Sequence, residues 1–258
     1  MEILWLAAFA DVPASELAEV VAFWEAVTRT RAGTAQGRHG QFVPLAGTGE
    51  SPHLWIQRVE RPAGAVSWHP DLYVDDLEEA AIRAADLGAQ TTRSVPNLVT
   101  LSSPAGQQFC LVSADLSADG PYLRAQPRVW PDGQRSLLDQ LSLDIPIAAF
   151  ASETRFWSLL TGWEQHSGSL AEFDYLQRPP HIPLRLLLQR LGVEDDDGVD
   201  DLEPPHAHVD FACDDFEEER RRHERLGATT IRTTKYWVTL RDPVGLLYCI
   251  TSRNPEES

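Results

Sequence analysis

Cysteine is scarce in this 258-residue chain: three are present, an odd number that cannot pair fully within one chain. Cys110, Cys213 and Cys249 lie in apolar, strand-like stretches and read as small buried hydrophobes. Basic residues are also few, 22 against 39 acidic ones, and the net charge of −17 opposes nucleic acid or an anionic membrane as a partner. No apolar run is long enough to span a bilayer, and Met1 to Trp5 lacks the basic region of a signal peptide, so a cytoplasmic protein is expected. A Gly-rich phosphate loop, a nucleophile elbow and a zincin helix are missing too, which removes three common routes to catalysis. The length suits two domains of about 120–130 residues.

What the chain does have is a repeat. Trp68 to Val112 reads WHPDLYVDDLEEAAIRAADLGA, a spacer, then LVTLSSPAGQQFCLV. Further on stand AHVDFACDDFEEERRRHERLGA, a spacer, and WVTLRDPVGLLYCIT. His69 and His208, Asp71 and Asp210, Gly88 and Gly227, and Cys110 and Cys249 are all 139 positions apart, so the copies align without a gap. A repeat of this length is a duplicated structural unit. Each copy reads as strand, helix, strand. Alternating apolar residues predict half-buried strands, with Val209, Phe211 and Cys213 on one face and His208 and Asp210 on the other. Asp75 or Asp76 is placed to cap the following helix, and Gly88 and Gly227 stand where a helix ends.

A weaker repeat precedes each long one. Phe23-Trp24 aligns with Phe156-Trp157 at a separation of 133, and Trp55 to Arg58 with Leu187 to Arg190 at 132. This predicts a strand over 3–10, a helix over 15–30 burying Leu17, Val20, Val21 and Trp24, and a hairpin over 41–45 and 53–59. The plan recurs as a strand over 139–144, a helix over 150–160 and strands near 173–177 and 184–190. The chain therefore reads as four strand–helix–strand units in two halves, 1–114 and 136–253, joined by a Pro-rich linker over 115–135. Trp130 and Tyr122 imply that the linker packs on a surface. The acidic run Asp195-Asp196-Asp197 reads as a solvated loop, since calcium-loop spacing is missing.

With these residues in view, both halves resemble the vicinal oxygen chelate superfamily, the fold of glyoxalase I, bleomycin-resistance proteins and extradiol dioxygenases. The carrying motifs are His69-x-Asp71-x-x-Val74-Asp75-Asp76, His208-x-Asp210-x-x-x-Asp214-Asp215 and Asp242-Pro243-x-Gly245-x-x-Tyr248-Cys249. The resemblance covers nearly the whole chain and implies an α+β fold, four βαβββ units paired into two tandem domains, with curved sheets, helices outside and a ligand cleft inside. His69, Asp71 and Tyr73 would point into that cleft.

Metal-dependent members of this superfamily take ligands from the first and last strands of paired units, typically histidine or glutamine with two glutamates. Carried over, the last-strand position falls at Gln108 and at Leu247, and leucine cannot ligate. The first half would offer Gln57, His69 and Gln108; the second would offer Gln140 or Asp139, Gln189 and His208. One imidazole among amides binds a cation poorly, so no cofactor is expected, and any divalent metal would sit through Gln140 and His208. The expected function is therefore binding of a small organic molecule, metal-free or weakly metal-dependent. The ligand-binding candidates are Gln140, Gln189, His208, Asp210, Trp237, Trp55, Gln57, His69 and Asp71, with the tryptophans as flat walls. A metal-dependent lyase, isomerase or extradiol-type dioxygenase is the alternative, and a vestigial scaffold a third reading. The protein is expected as a monomer or homodimer. His69 with Asp71, or His208 with Asp210, could also act as an oriented general base.

Overall fold

Strand alternation and helix caps translate directly into four βαβββ units in the computed structural model, which describes residues 1–62, 64–114, 121–192 and 204–256. The first unit is β1 (Ile3–Pro13), α1 (Leu17–Thr28), β2 (Arg31–Ala32), β3 (Phe42–Ala46) and β4 (Leu54–Val59). The second is β5 (Ser67–Val74), α2 (Leu77–Asp86), β6 (Gln90–Val95), β7 (Leu98–Ser102) and β8 (Gln108–Ser113). After the short β9 (Arg128–Val129) come β10 (Arg135–Pro146), α3 (Phe150–Thr161), β11 (Glu164–Ser167), β12 (Phe173–Gln177) and β13 (Arg185–Leu191). The fourth unit is β14 (His206–Cys213), α4 (Phe216–Arg225), β15 (Thr229–Thr233), β16 (Trp237–Arg241) and β17 (Leu247–Thr251).

Each half of the chain makes one mixed sheet. The orders are β2-β3-β4-β1-β5-β8-β7-β6 and β11-β12-β13-β10-β14-β17-β16-β15, with β9 beside β10. The α+β class and the tandem plan thus stand. β5 and β14 are interior strands, buried on both faces rather than one: His69, Asp71, His208 and Asp210 are only 6, 3, 8 and 2 % exposed. The expectation of half-buried strands is corrected accordingly. β2 and β11 are edge strands, β2 only Arg31 and Ala32 and β11 wholly polar, and without apolar alternation they leave no signal in the sequence.

The caps explain where helices start and stop. Asp76, rather than Asp75, accepts from Glu79 N at 2.9 Å, and Asp215 accepts from the backbone of Glu217 and Glu218 at 3.0 Å each. α1 ends earlier than expected, because Arg29 takes a left-handed conformation (φ 50°). It buries Val20, Phe23, Trp24 and Val27, while Leu17 and Val21 are only half-buried.

Contacts gather the chain into two compact bodies that interleave the halves. The first comprises residues 1–6, 69–122 and 141–207; the second comprises 7–68, 123–140 and 208–258. The core of the first holds Phe109 against Phe156 and Trp157, with ring centroids 5.9 and 5.1 Å apart. That of the second holds Trp24 against Phe211 and Tyr248, at 6.2 and 5.2 Å. Linker aromatics pack as expected: Tyr122 stacks on Trp5, and Trp130 lies under the Arg222 guanidinium and donates to Ser136 Oγ at 2.8 Å. The acidic run Asp195-Asp196-Asp197 lies outside the described residues.

Candidate functional site

Two sites follow from strand register. β5 and β8 run parallel with Asp71 opposite Cys110; β14 and β17 run parallel with Asp210 opposite Cys249. Opposed residues in a parallel pair share a face, and His69 and His208 share it too, two residues before their aspartates. The result is a buried imidazole, carboxylate and thiol in each half: His69, Asp71 and Cys110 in the first body, His208, Asp210 and Cys249 in the second. Within each group the donor atoms all lie within 4.8 Å of one another. His69 Nε2 is 3.2 Å from Asp71 Oδ1, and His208 Nε2 is 3.2 Å from Asp210 Oδ1.

Around the groups the two halves begin to differ. A threonine hydroxyl flanks each sulfur, Thr100 at 3.7 Å from Cys110 and Thr239 at 3.4 Å from Cys249. Gln140 Nε2 donates a short hydrogen bond to Asp210 Oδ2, whereas the residue aligned with Gln140 in the first half is Ala7, which has nothing to donate. Burial pushes the Cys110 thiol up to about 11, with the Asp71 carboxylate adding to the shift, and burial raises Cys249 as well. Left to themselves, both sulfurs are protonated at neutral pH.

The sequence candidates divide unevenly. Gln140, His208 and Asp210 come together, and Trp237 lies on their face, because its neighbour two residues on, Thr239, pairs with Cys249. Trp55 and Gln57 lie on β4; Trp55 stacks on Phe9 at 5.4 Å, and Gln57 is half-buried opposite Asp11. The expected set of Gln57, His69 and Gln108 is split. Gln57 belongs to the second body, His69 to the first, and Gln108 is exposed. Gln189 is likewise in the first body, on β13 opposite Phe173, while Gln140 and His208 are in the second. Asp139 points away from Gln140 along β10 and is held by both guanidinium nitrogens of Arg253, at 2.6 and 2.7 Å.

The expectation of no cofactor is left without support for a related reason. It counted Gln108 and Leu247 as the last-strand positions and found no anionic donor. Register instead brings the residue two places on, Cys110 or Cys249, beside the His-x-Asp pair, and each half does present a group able to hold a cation. Cysteine burial was legible in the sequence; the polar company it keeps was not. The signal was there, since Cys110 and Cys249 obey the same 139-residue offset as the histidines. A cavity of roughly 20 Å³ beside His53, Thr28 and Ser136 in the second body has room for about one water.

The model of the glyoxalase-like domain family matches residues 7–112 and 140–251. The chain belongs to that family. It carries two tandem copies of the vicinal oxygen chelate fold. A variant of 4-hydroxymandelate synthase from Streptomyces coelicolor superposes with a TM-score of 0.62 at 17 % identity, covering 98 % of this chain and 93 % of that one. Homoprotocatechuate 2,3-dioxygenase from Brevibacterium fuscum, in complex with 3,4-dihydroxyphenylacetate, gives 0.60 at 14 %, covering 98 % and 81 %. The 2,3-dioxygenase LapB from Pseudomonas sp. KL28 gives 0.57 at 15 %, covering 97 % and 92 %. At these identities the likeness is one of fold. No curated protein matches the chain. Among the described residues no helix is long and apolar enough to cross a membrane.

Proposed function

We propose that the chain binds a small, planar organic molecule on the β10–β14–β17–β16 face of the second half, through Gln140, His208, Asp210 and Trp237. The observation that carries this is the buried chain Gln140–Asp210–His208. The amide anchors one carboxylate oxygen, the other faces the imidazole, and the ring is thereby held in one orientation for a ligand hydroxyl or carboxylate. Trp237 supplies a flat apolar wall on the same face. The first half repeats the histidine and aspartate but has Ala7 and Leu98 where the second has Gln140 and Trp237, which makes it the weaker site. Hydroxylated aromatic acids are the natural first probes, since a dioxygenase of this fold has been solved with 3,4-dihydroxyphenylacetate.

Thermal shift with a panel of hydroxyphenyl acids tests the reading. His208→Ala should weaken binding roughly ten- to hundred-fold, the size of one lost buried polar contact, and His69→Ala should matter less. Hits that survive His208→Ala but vanish with His69→Ala would place the site in the first half, and a panel without hits would favour a vestigial scaffold. A second reading, a metal-dependent lyase, isomerase or dioxygenase, is favoured by the imidazole, carboxylate and thiol groups. Product formation from a bound hit, dependent on added metal, would select it.

A further inference from the structure

We infer that Arg241 is the anion-recognising residue of the second half, so that the ligand is an aromatic acid with its carboxylate at Arg241 and its hydroxyl at His208. This assignment rests on the organic-ligand reading above and adds the ligand's charge and orientation. β17 lies between β14 and β16 in the sheet. Val209 pairs with Tyr248, so the residues one place earlier, His208 and Leu247, stand side by side, and Leu247 pairs on its other flank with Arg241. His208, Leu247 and Arg241 thus form one row across three strands, all in the second body. Residues level in such a row share a face. It is the face of Asp210, Cys249 and Thr239, since Thr239 Oγ1 lies 3.4 Å from Cys249 Sγ and His208 Nε2 lies 3.2 Å from Asp210 Oδ1. Two strand spacings put the backbones of His208 and Arg241 roughly 10 Å apart. Leu247 forms an apolar floor between a hydrogen-bonding end and a cationic end. A flat ring with a hydroxyl at one end and a carboxylate at the other suits that layout.

The charge of Arg241 is not spent within the fold. The side chain is exposed, and among the described residues it makes no ion pair or hydrogen bond. Its ladder partners, Thr229 and Leu247, are uncharged. The adjacent Asp242 points to the opposite face, where it accepts from the Trp24 indole at 3.0 Å. The Asp210 carboxylate on the ligand face is already engaged by Gln140 and His208. The guanidinium is therefore left for an external anion, and its planar fork can grip a carboxylate through two parallel hydrogen bonds. A local cation is needed for that, because the chain as a whole carries −17 and repels anions. In the first half the 139-residue offset puts Ser102 in place of Arg241 and Gln108 in place of Leu247. Preference for an acid thus belongs to the second half alone.

Calorimetric titration of the full chain with two probes, 4-hydroxyphenylacetate and its neutral amide 4-hydroxyphenylacetamide, tests the assignment. The acid should bind roughly five- to tenfold more tightly than the amide, the size of one charge-assisted contact at an exposed site. Arg241→Gln, a change at an exposed side chain, should erase that preference and leave the affinity for the amide unchanged. Arg241→Glu should weaken the acid further, and His208→Ala should weaken both probes alike. Equal affinity of acid and amide for the unaltered chain would overturn the role of Arg241 while leaving the organic-ligand reading standing. So would an acid affinity indifferent to Arg241→Gln, or an equal loss of both probes in that variant. Failure of both probes to bind the unaltered chain would overturn the organic-ligand reading and this assignment with it.

Discussion

The two bodies solve one packing problem with carboxylates of different origin. In the second body the indole of Trp24 donates to Asp242 at 3.0 Å, and the other Asp242 oxygen accepts from the backbone of Val244, Gly245 and Leu246. In the first body the equivalent indole, Trp157, donates at 2.9 Å to Glu153 on its own helix, and the other Glu153 oxygen accepts from Ala105 N in the turn. The aligned partners are Ser103 for Asp242 and Val20 for Glu153, so one carboxylate has moved from turn to helix while its work is unchanged. Burial raises the pKa of both acids. What the duplication preserves is therefore the satisfaction of a buried indole and a tight turn, not the residue that provides it.

Removing the shared carboxylate should have the largest effect. Asp242→Ala strands an indole and three backbone donors and should cost about 4 kcal/mol; Glu153→Ala strands an indole and one amide and should cost about 2–3 kcal/mol. Urea unfolding of both variants checks the order, and equal losses would overturn it. Next comes acid sensitivity, which should reside in the second body. Burial holds His53 down to about 4 and His223 down to about 3, and both belong there. Each is neutral when folded and takes up a proton on unfolding. The stability is thus complete above pH 6.5, the ordinary histidine value, and is lost as pH falls toward 4 and then 3. For His53 alone the loss sums to about 3 kcal/mol. Hydrogen exchange at falling pH should show the second body opening first, and His53→Gln should flatten the dependence. The smallest effect should be symmetric: Asp76→Ala and Asp215→Ala each remove a helix cap and should cost about 1 kcal/mol apiece by thermal melting.

Much of this was legible in the chain. The gapless offset named the units, alternation named the strands, and the DD-E patterns named two helix starts, because these signals are local. The polar network inside the helix layer of the second body was not. Glu219, His223 and Tyr248 form a buried hydrogen-bonded line where the first body has Ala80, Ala84 and Phe109. The charged run of α4 gives no sign of this line, since periodicity marks a face but not what meets it.

The sequence by itself determined four strand–helix–strand units, their tandem order and the alternation of their strands, all consequences of neighbours within a few residues. Only the tertiary structure decided that Cys110 and Cys249 stand beside the histidine–aspartate pairs, and that Gln57 and His69 fall in different bodies. The physical reason is that strand register and layer packing are set by burial summed over whole sheets. A shift of two residues along β8 or β17 keeps the same face inward, so the pattern alone cannot say which side chain meets the imidazole.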